Sequence, residues 1–210
     1  ANSEYDPNKK PDQCPSTAEA SLASLDMKSP AVRATIDEMV KHNVAMTSTL
    51  AIYELYVPGR PPELDPRMLE AMSPETREEY LTTRKRIAEN PAMGTPETVF
   101  KKAMEFDRMF VQAGGLLAAG SDPTGSGGAL PGFGDQRNLE LLVEAGFSPA
   151  ESIRIMTLNG ARVLGVDKDL GSLERGKIAD LVVLRGNPAA TPKDIRNVTI
   201  VFKDGVGYDS

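Results

Sequence analysis

The chain has 210 residues, 40% of them hydrophobic and 26% charged, a composition that supports a globular core and excludes a disordered or membrane-embedded protein. Thirty acidic residues against 24 basic ones give a net charge of −6, and no Lys/Arg-rich segment offsets it, so a nucleic-acid partner is not expected. No apolar run has the length of a membrane helix, and no secretory signal is recognised, so no membrane partner is expected and no compartment is assigned.

Two helix–strand units are predicted in the first half. Ser29-Pro30 predicts a helix start and Asn43 its left-handed end, directly before the β-prone segment 44–50. A second helix starts at Thr95-Pro96-Glu97 and ends at Gly114, and the apolar run after it leads to Asp122. Two successive units of this kind favour a parallel sheet covered by helices.

Between these units lies a proline-rich, charged insertion, residues 53–95. Short helices are predicted near residues 65–72 and 74–89. Insertions that follow a strand often form lids or pocket walls. The alternative interpretation of this insertion is a solvated surface segment without such a role.

The second half starts helical and ends in short strands. A helix ends at Gly146, and the capping box Ser148-Pro149-Ala150-Glu151 starts another, with Val163 and Leu164 predicted to face inward. The predicted strands after it are residues 170–173, 179–184 and 198–202, with a hairpin at Asp204-Gly205.

Cysteine and histidine are scarce. Cys14 is the only cysteine, which excludes an intrachain disulfide and a cysteine-based zinc site. His42 is the only histidine, whereas hydrolytic zinc sites need two or three imidazoles. Its position at the end of a predicted helix favours a capping or solvated role. Asp135 and Glu140 are predicted to be charges at the start of a helix.

Asp122 ends the second predicted strand and precedes the small residues Gly125-Ser126-Gly127-Gly128. A turn cap is one interpretation, because Asp commonly takes that role after a strand. A phosphate-binding loop is disfavoured, because no Lys follows the glycines and their spacing matches neither nucleotide fingerprint. A catalytic carboxylate is the third, since the chemistry of parallel α/β folds lies at the carboxyl ends of the strands. The local pattern leaves two interpretations of Asp122 open, the turn cap and the catalytic carboxylate.

Several segments together resemble the amidohydrolase superfamily. Asp122 stands where that family's last barrel strand ends, and residues 171–184 resemble the family's return into a small β-sandwich. The segments that carry the resemblance are residues 119–123, 141–153, 157–165, 171–184 and 202–205. Within that superfamily, the sequence resembles the imidazolonepropionase-like enzymes, which include dipeptidases acting on Xaa-Pro and related dipeptides.

The resemblance implies a metal-dependent hydrolase of C–N bonds. Such enzymes hold one or two divalent metals, with zinc expected here, in a (β/α)8 barrel. Their ligands are a His-x-His pair, often a carboxylated Lys, two later His and the Asp of the last strand. Asp122 is the one residue onto which the roles of metal ligand and catalytic proton shuttle can be carried.

The sequence lacks the histidine ligands of that family and most of its barrel strands. It has no His-x-His pair and no pair of later His. A (β/α)8 barrel needs eight strands in about 250 residues, and two are predicted here. The expected fold is therefore α/β: the C-terminal part of a TIM-type barrel over residues 1–165, then strands of a small composite β-sandwich over residues 166–210.

This interpretation sets expectations for partners and substrate. The N-terminal part of the same enzyme is expected as a companion chain, a homo-oligomer is compatible, and this chain alone is not expected to hold metal tightly. Thr49, Tyr53 and Thr124 follow the two strand ends and are predicted to contact a small amide, cyclic amide or dipeptide substrate. Two alternatives stay open: a non-catalytic barrel remnant that acts as a binding module, and a small metal-free α/β enzyme that uses Asp122.

Overall fold

A computed structural model describes residues 22–123 and 128–209. Within them, a two-stranded parallel sheet surrounded by helices is followed by a three-stranded antiparallel sheet. The α-helices are α1 (Pro30–Lys41), α2 (Leu50–Glu54), α3 (Pro66–Ala71), α4 (Pro74–Glu89), α5 (Glu97–Gln112), α6 (Phe133–Glu144), α7 (Pro149–Arg154) and α8 (Gly160–Val163). The strands are β1 (Met46–Ser48), β2 (Leu117–Ala119), β3 (Leu181–Leu184), β4 (Val198–Lys203) and β5 (Val206–Asp209). Short 3-10 helices cover Pro91–Met93 and Pro192–Arg196, and a π-helical turn covers Ile155–Asn159.

The two predicted helix–strand units are confirmed. Strands β1 and β2 pair in parallel, with Met46 opposite Leu117 and Ser48 opposite Ala119. Helix α1 starts where the Ser29 side chain accepts a hydrogen bond from the Val32 N–H, and the chain turns at Asn43 with a left-handed φ of 53°. Because the strands are parallel, both carboxyl ends lie at the same edge of the sheet.

The main core lies between this sheet and the helices around it. Helix α5 contributes its apolar face, and its Phe110 ring lies against Gly115, where a Cβ atom would come within 2.4 Å of the ring. The fully buried large side chains of this core include Phe100, Phe110, Leu117, Leu141 and Leu142. The glycine after α5 therefore allows the chain to turn closely over the helix before it enters β2.

The insertion packs a second, smaller core. Met68 of α3, Met72 directly after α3 and Tyr80 of α4 are buried against Ile52, Leu55 and Ala129. The predicted helices of the insertion are confirmed, at Pro66–Ala71 and Pro74–Glu89. The insertion thus covers the segment after β1 and the chain that leads into α6, and on this face it is packed rather than solvated.

Two predictions in the second half are wrong. The predicted strand at residues 170–173 is a bend and irregular chain between two turns. The Lys177 ammonium holds this segment in place, because it donates to the carbonyl of Asp167 at 2.6 Å and to the hydroxyl of Ser172 at 2.6 Å. Val163 and Leu164 were expected to be buried but are 41% and 77% exposed. The π-helical turn inserts an extra residue before them and rotates them away from the core.

The C-terminal strands form an antiparallel sheet in the order β3-β4-β5. The predicted hairpin is confirmed: Asp204 and Gly205 connect β4 and β5 with φ angles of 50° and 78°, the pattern of a tight hairpin turn. Part of this sheet is uncovered, with exposed apolar side chains at Val182, Val183, Val201, Val206 and Tyr208.

Candidate functional site

Three of the predicted site residues, Thr49, Tyr53 and Asp122, follow the ends of β1 and β2. The Gly120 N–H donates to the Ser48 carbonyl at 3.0 Å, which continues the parallel pairing and places Thr49 beside Gly120. Thr49 precedes α2 as its N-cap residue, and Tyr53, one turn later, is 56% exposed. Thr124 lies outside the described residues. The substrate roles of Thr49, Tyr53 and Thr124 stay predictions.

Asp122 follows this edge with an unusual backbone. It is exposed, and its φ of 46° lies in the left-handed region, which few non-glycine residues adopt but which Asp tolerates. Such conformations persist where the surrounding structure holds them, and they often occur at functional sites. Its catalytic and metal-binding roles stay predictions at this point.

The amide of Asn138 joins the two strand ends. Asn138 lies on α6 and is 1% exposed. Its Oδ1 accepts from the Ala51 N–H at 2.7 Å, and its Nδ2 donates to the Gly120 carbonyl at 2.6 Å. Ala51 is in the first turn of α2, where helix N–H groups have no partner within the helix. One side chain therefore satisfies backbone groups on both sides of the candidate site.

Behind the strand ends lies a buried ion-pair network. Glu54 of α2 is 1% exposed and accepts from Arg137 Nε at 2.8 Å and Nη2 at 2.7 Å, a two-point contact. Arg60 Nε also donates to Glu54 at 2.9 Å, and Arg137 Nη1 donates to Glu140 at 2.5 Å. The pairing fixes the end of α2 against α6.

The same network reaches the C-terminal segment. Arg196, in the 3-10 helix Pro192–Arg196, donates from Nε and Nη2 to the two oxygens of Glu140 at 2.6 and 2.7 Å. The Arg196 carbonyl accepts from Arg67 of α3 at 3.1 Å. One residue thus links the insertion, α6 and the chain that enters β4.

The charged states in this network support one another. Burial opposes ionisation of Glu140, but its hydrogen bonds with Arg196 and Arg137 outweigh that cost and lower its pKa. Burial likewise opposes the charge on Arg137, and its hydrogen bonds with Glu54 and Glu140 raise its pKa instead. Glu140 is therefore a buried partner of two arginines, and its prediction as a helix-start charge is wrong.

A second buried carboxyl lies beneath β1. Asp107 of α5 is 7% exposed, and its Oδ2 accepts from the Ser48 hydroxyl at 2.6 Å. It borders a hollow of about 320 Å³ lined mainly by apolar side chains, among them Met27, Phe100 and Phe106. Burial raises the pKa of Asp107 to about 6, although the Ser48 hydrogen bond acts in the opposite direction.

Asp107→Asn is expected to stabilise the protein at neutral pH. With a pKa of about 6 in the folded state and 3.8 as the ordinary value, the folded state holds the proton more tightly, so Asp107 costs stability as pH rises through this interval. The variant should have a free energy of unfolding about 1–3 kcal/mol higher at pH 8, and the difference should vanish below about pH 4. Urea denaturation across this pH range measures it.

The matched control is Asp37→Asn, which removes one negative charge from the exposed side of α1. A difference between wild type and Asp107→Asn that is constant from acidic to alkaline pH would contradict the assignment, because a buried carboxyl must change its contribution as it ionises.

The described residues do not form a metal centre by themselves. No group of three or more His, Cys, Asp or Glu side chains that could hold an ion occurs within 22–123 and 128–209. His42 is exposed at the end of α1, where its Nε2 lies 3.1 Å from Glu38 Oε2, so its predicted helix-end role is confirmed. Asp135 accepts from the Gly132 N–H at 2.9 Å at the start of α6, as predicted.

Sequence reasoning missed the residues that build the site's support. Asn138, Glu54, Arg137 and Asp107 each find partners far away in the chain. One signal was present: Glu54 interrupts the apolar run Leu50–Val57, where an acid must be paired if the run is buried.

In the part of the chain that the structure describes, no helix is both long and apolar enough to cross a membrane.

Comparison with known proteins places this geometry in context. The model of the amidohydrolase family matches residues 33–206. The imidazolonepropionase of Clostridium tetani is 32% identical over 109 residues, which cover 48% of this chain and 25% of that protein. A 5-methylthioadenosine/S-adenosylhomocysteine deaminase of Moorella thermoacetica is 38% identical over 106 residues, or 47% of this chain and 25% of the deaminase. The matches span about a quarter of each curated relative.

Solved structures agree at the level of the fold. A putative prolidase from Bifidobacterium longum superposes with a TM-score of 0.51 at 30% identity, covering 78% of this chain and 35% of the prolidase. An Xaa-Pro dipeptidase with bound methionine in its active site gives 0.55 at 21% identity, covering 92% of this chain and 41% of the dipeptidase. The described residues thus have the α/β fold of a portion of such enzymes.

Proposed function

The chain belongs to the amidohydrolase family, and we propose that it is the C-terminal part of a metal-dependent enzyme that hydrolyses a C–N bond. The observation that carries this proposal is the position of Asp122, directly beyond the end of β2 and at the edge where β1 also ends. The relatives include an imidazolonepropionase, a deaminase and a prolidase-type protein, all of which act on C–N bonds.

In this proposal, β1 and β2 are the last two strands of a (β/α)8 barrel, over residues 1–165. Residues 166–210, with β3, β4 and β5, contribute to a small β-sandwich. Two points support it. The two-stranded sheet is too short to close on itself and has edges that a barrel would pair. The exposed apolar side chains of the C-terminal sheet are those that further strands would cover.

A metal fits Asp122 as one ligand of a larger site. A carboxylate oxygen suits zinc and other divalent cations, and a complete ligand set needs residues from outside the described ones, which hold no group of three or more His, Cys, Asp or Glu that could bind an ion. The metal, when bound, would lower the pKa of a water molecule so that it becomes a nucleophile at neutral pH. The Asp122 carboxylate would accept the proton of the attacking water and return it to the leaving nitrogen.

The proposed substrate is a small amide, cyclic amide or dipeptide. Tyr53 is exposed beside the site and can pack against an apolar substrate group, and Thr49 offers a hydroxyl at the end of β1. Thr124, two residues after Asp122, is proposed as a third contact. The proposed partner is the N-terminal part of the same enzyme, which would supply the remaining ligands and strands.

The test is turnover of dipeptides such as Met-Pro and Ala-Pro by this chain alone and by this chain produced together with the N-terminal part of its enzyme. We expect no turnover by the chain alone. The combined protein should be active, lose activity to a chelator and regain it with Zn²⁺. Chelator-resistant turnover by the chain alone would support a metal-free enzyme instead. A stable, monodisperse chain with no activity in either form would support a binding module.

A further inference from the structure

We infer that Asn138 is a positioning residue that sets the place of Asp122 relative to the end of β1. The inference rests on the proposed function for the role of Asp122. Its structural content, that one helix determines the path of the chain into Asp122, can be tested independently of that function.

The orientation of the Asn138 amide is determined by its partners. The Ala51 N–H can only donate, so it faces Oδ1, and the Gly120 carbonyl can only accept, so it faces Nδ2. Both contacts are short, 2.7 and 2.6 Å, and the side chain is 1% exposed, so water does not compete for either group. No other side chain of this size both accepts and donates in this geometry.

The hydrogen bond from Asn138 to Gly120 adds a second restraint at the end of β2. The Gly120 N–H already donates to the Ser48 carbonyl of β1 at 3.0 Å. With its carbonyl bound to Asn138, both polar backbone groups of Gly120 are occupied, one by the neighbouring strand and one by α6. Asp122 is two residues further on, so the direction in which the chain leaves Gly120 fixes where its carboxylate lies.

Gly134 adds a second contact from the same helix. A Cβ atom at Gly134 would lie 3.1 Å from Ser121 Cβ, so α6 approaches the chain closely just before Asp122. Helix α6 thus holds two successive residues, Gly120 through the Asn138 amide and Ser121 through packing at Gly134. The left-handed backbone of Asp122 follows directly. Structures that maintain such a conformation must constrain the residues beside it.

The test is Asn138→Asp, with Asn159→Asp as the matched control. Once ionised, the new carboxyl at 138 can still accept from the Ala51 N–H but repels the Gly120 carbonyl, and both readouts are therefore taken at pH 8, because burial raises the pKa of a carboxyl. Asn159 makes the same kind of bond to the same strand, donating from Nδ2 to the Leu117 carbonyl at 2.8 Å, at the end remote from Asp122. A general loosening of β2 would affect both variants alike, whereas a positioning role concerns only Asn138.

The first readout is NMR of the 210-residue chain. In Asn138→Asp, the Cα and Cβ shifts of Asp122 should move away from left-handed values, while the Ala51 amide stays protected from exchange. In Asn159→Asp, the Asp122 signals should stay unchanged. Unchanged Asp122 signals in Asn138→Asp, or equal changes in both variants, would overturn the inference.

The second readout is kinetics of the complete enzyme with the dipeptide probes. Misplacement of a reacting group by about 1 Å can cost 100-fold in rate, so Asn138→Asp should lower kcat by about that factor. KM should change less than about twofold, because the residue acts on the catalytic step rather than on substrate binding. A loss confined to KM would overturn the positioning role. If Asp122→Asn retained full activity, the proposed function would fail, and the NMR result would still decide the structural inference.

Gly134→Ala provides a second variant if Asn138→Asp does not fold. Alanine favours the helix more than glycine, while its methyl group would meet both Ser121 Cβ and the backbone of Ala129 at 3.1 Å, so these neighbours must move by a few tenths of an ångström. A shift of the Asp122 signals together with a lower kcat is expected. Wild-type signals and kcat would contradict the inference.

Discussion

Replacing Asp122 with Asn in the complete enzyme is expected to lower kcat by about 10³-fold or more. The amide has nearly the same size as the carboxylate, but it is neutral, binds a divalent cation poorly and cannot accept the proton of an attacking water. Because the side chain is exposed at the end of β2, the substitution should leave folding intact. Turnover of the dipeptide probes, measured with urea denaturation of the same samples, separates the two effects.

Asp169→Asn is the matched control for this experiment. It removes the same charge from an exposed turn between α8 and β3. Wild-type kcat is expected for it. If Asp122→Asn also kept the wild-type kcat, Asp122 would be a turn residue, the structural alternative that its sequence context allows.

Arg137→Leu is expected to cause the largest loss of stability, about 3 kcal/mol in the free energy of unfolding. The variant removes the two-point contact that holds Glu54, a side chain with 1% exposure, and leaves that carboxylate paired with Arg60. It also removes one of the two cations of Glu140. A buried carboxylate without sufficient compensation is costly, because water cannot replace the lost partner. Urea denaturation of the chain measures the effect.

Lys101→Met is the control for this second prediction. Lys101 forms an exposed pair with Glu97 at 3.0 Å, four residues earlier on α5. Exposed pairs contribute little, so its unfolding curve should match that of wild type. An Arg137→Leu curve that also matches wild type would mean that the buried network does not hold the end of α2 against α6.

Local sequence signals predicted the elements well. Ser29-Pro30, Asn43 and Asp204-Gly205 act through their own backbone or through neighbours within a few residues, so a short stretch contains all the information needed. The parallel sheet also followed from local evidence, because two helix–strand units in succession have few other arrangements.

The support of the candidate site was not predictable in this way. Asn138 and Ala51 are 87 residues apart in the sequence, and Ser48 and Asp107 are 59 apart. The sequence around a single Asn or Asp on a helix does not indicate which distant residue will be its hydrogen-bond partner in the folded protein. The exposed Val163 and Leu164 show a different limit, because a single π-helical turn changes the helical phase and a regular periodicity cannot anticipate it.

The most direct test of the central claim is the intact mass and metal content of the native protein, purified under non-denaturing conditions from cells that express its whole gene, with wild type and Asp122→Asn compared. The proposal predicts this chain together with the N-terminal part, with one or two zinc ions bound and less metal in Asp122→Asn. A lone, well-folded 22.6 kDa species without metal would contradict it and would leave the binding module as the account of this chain.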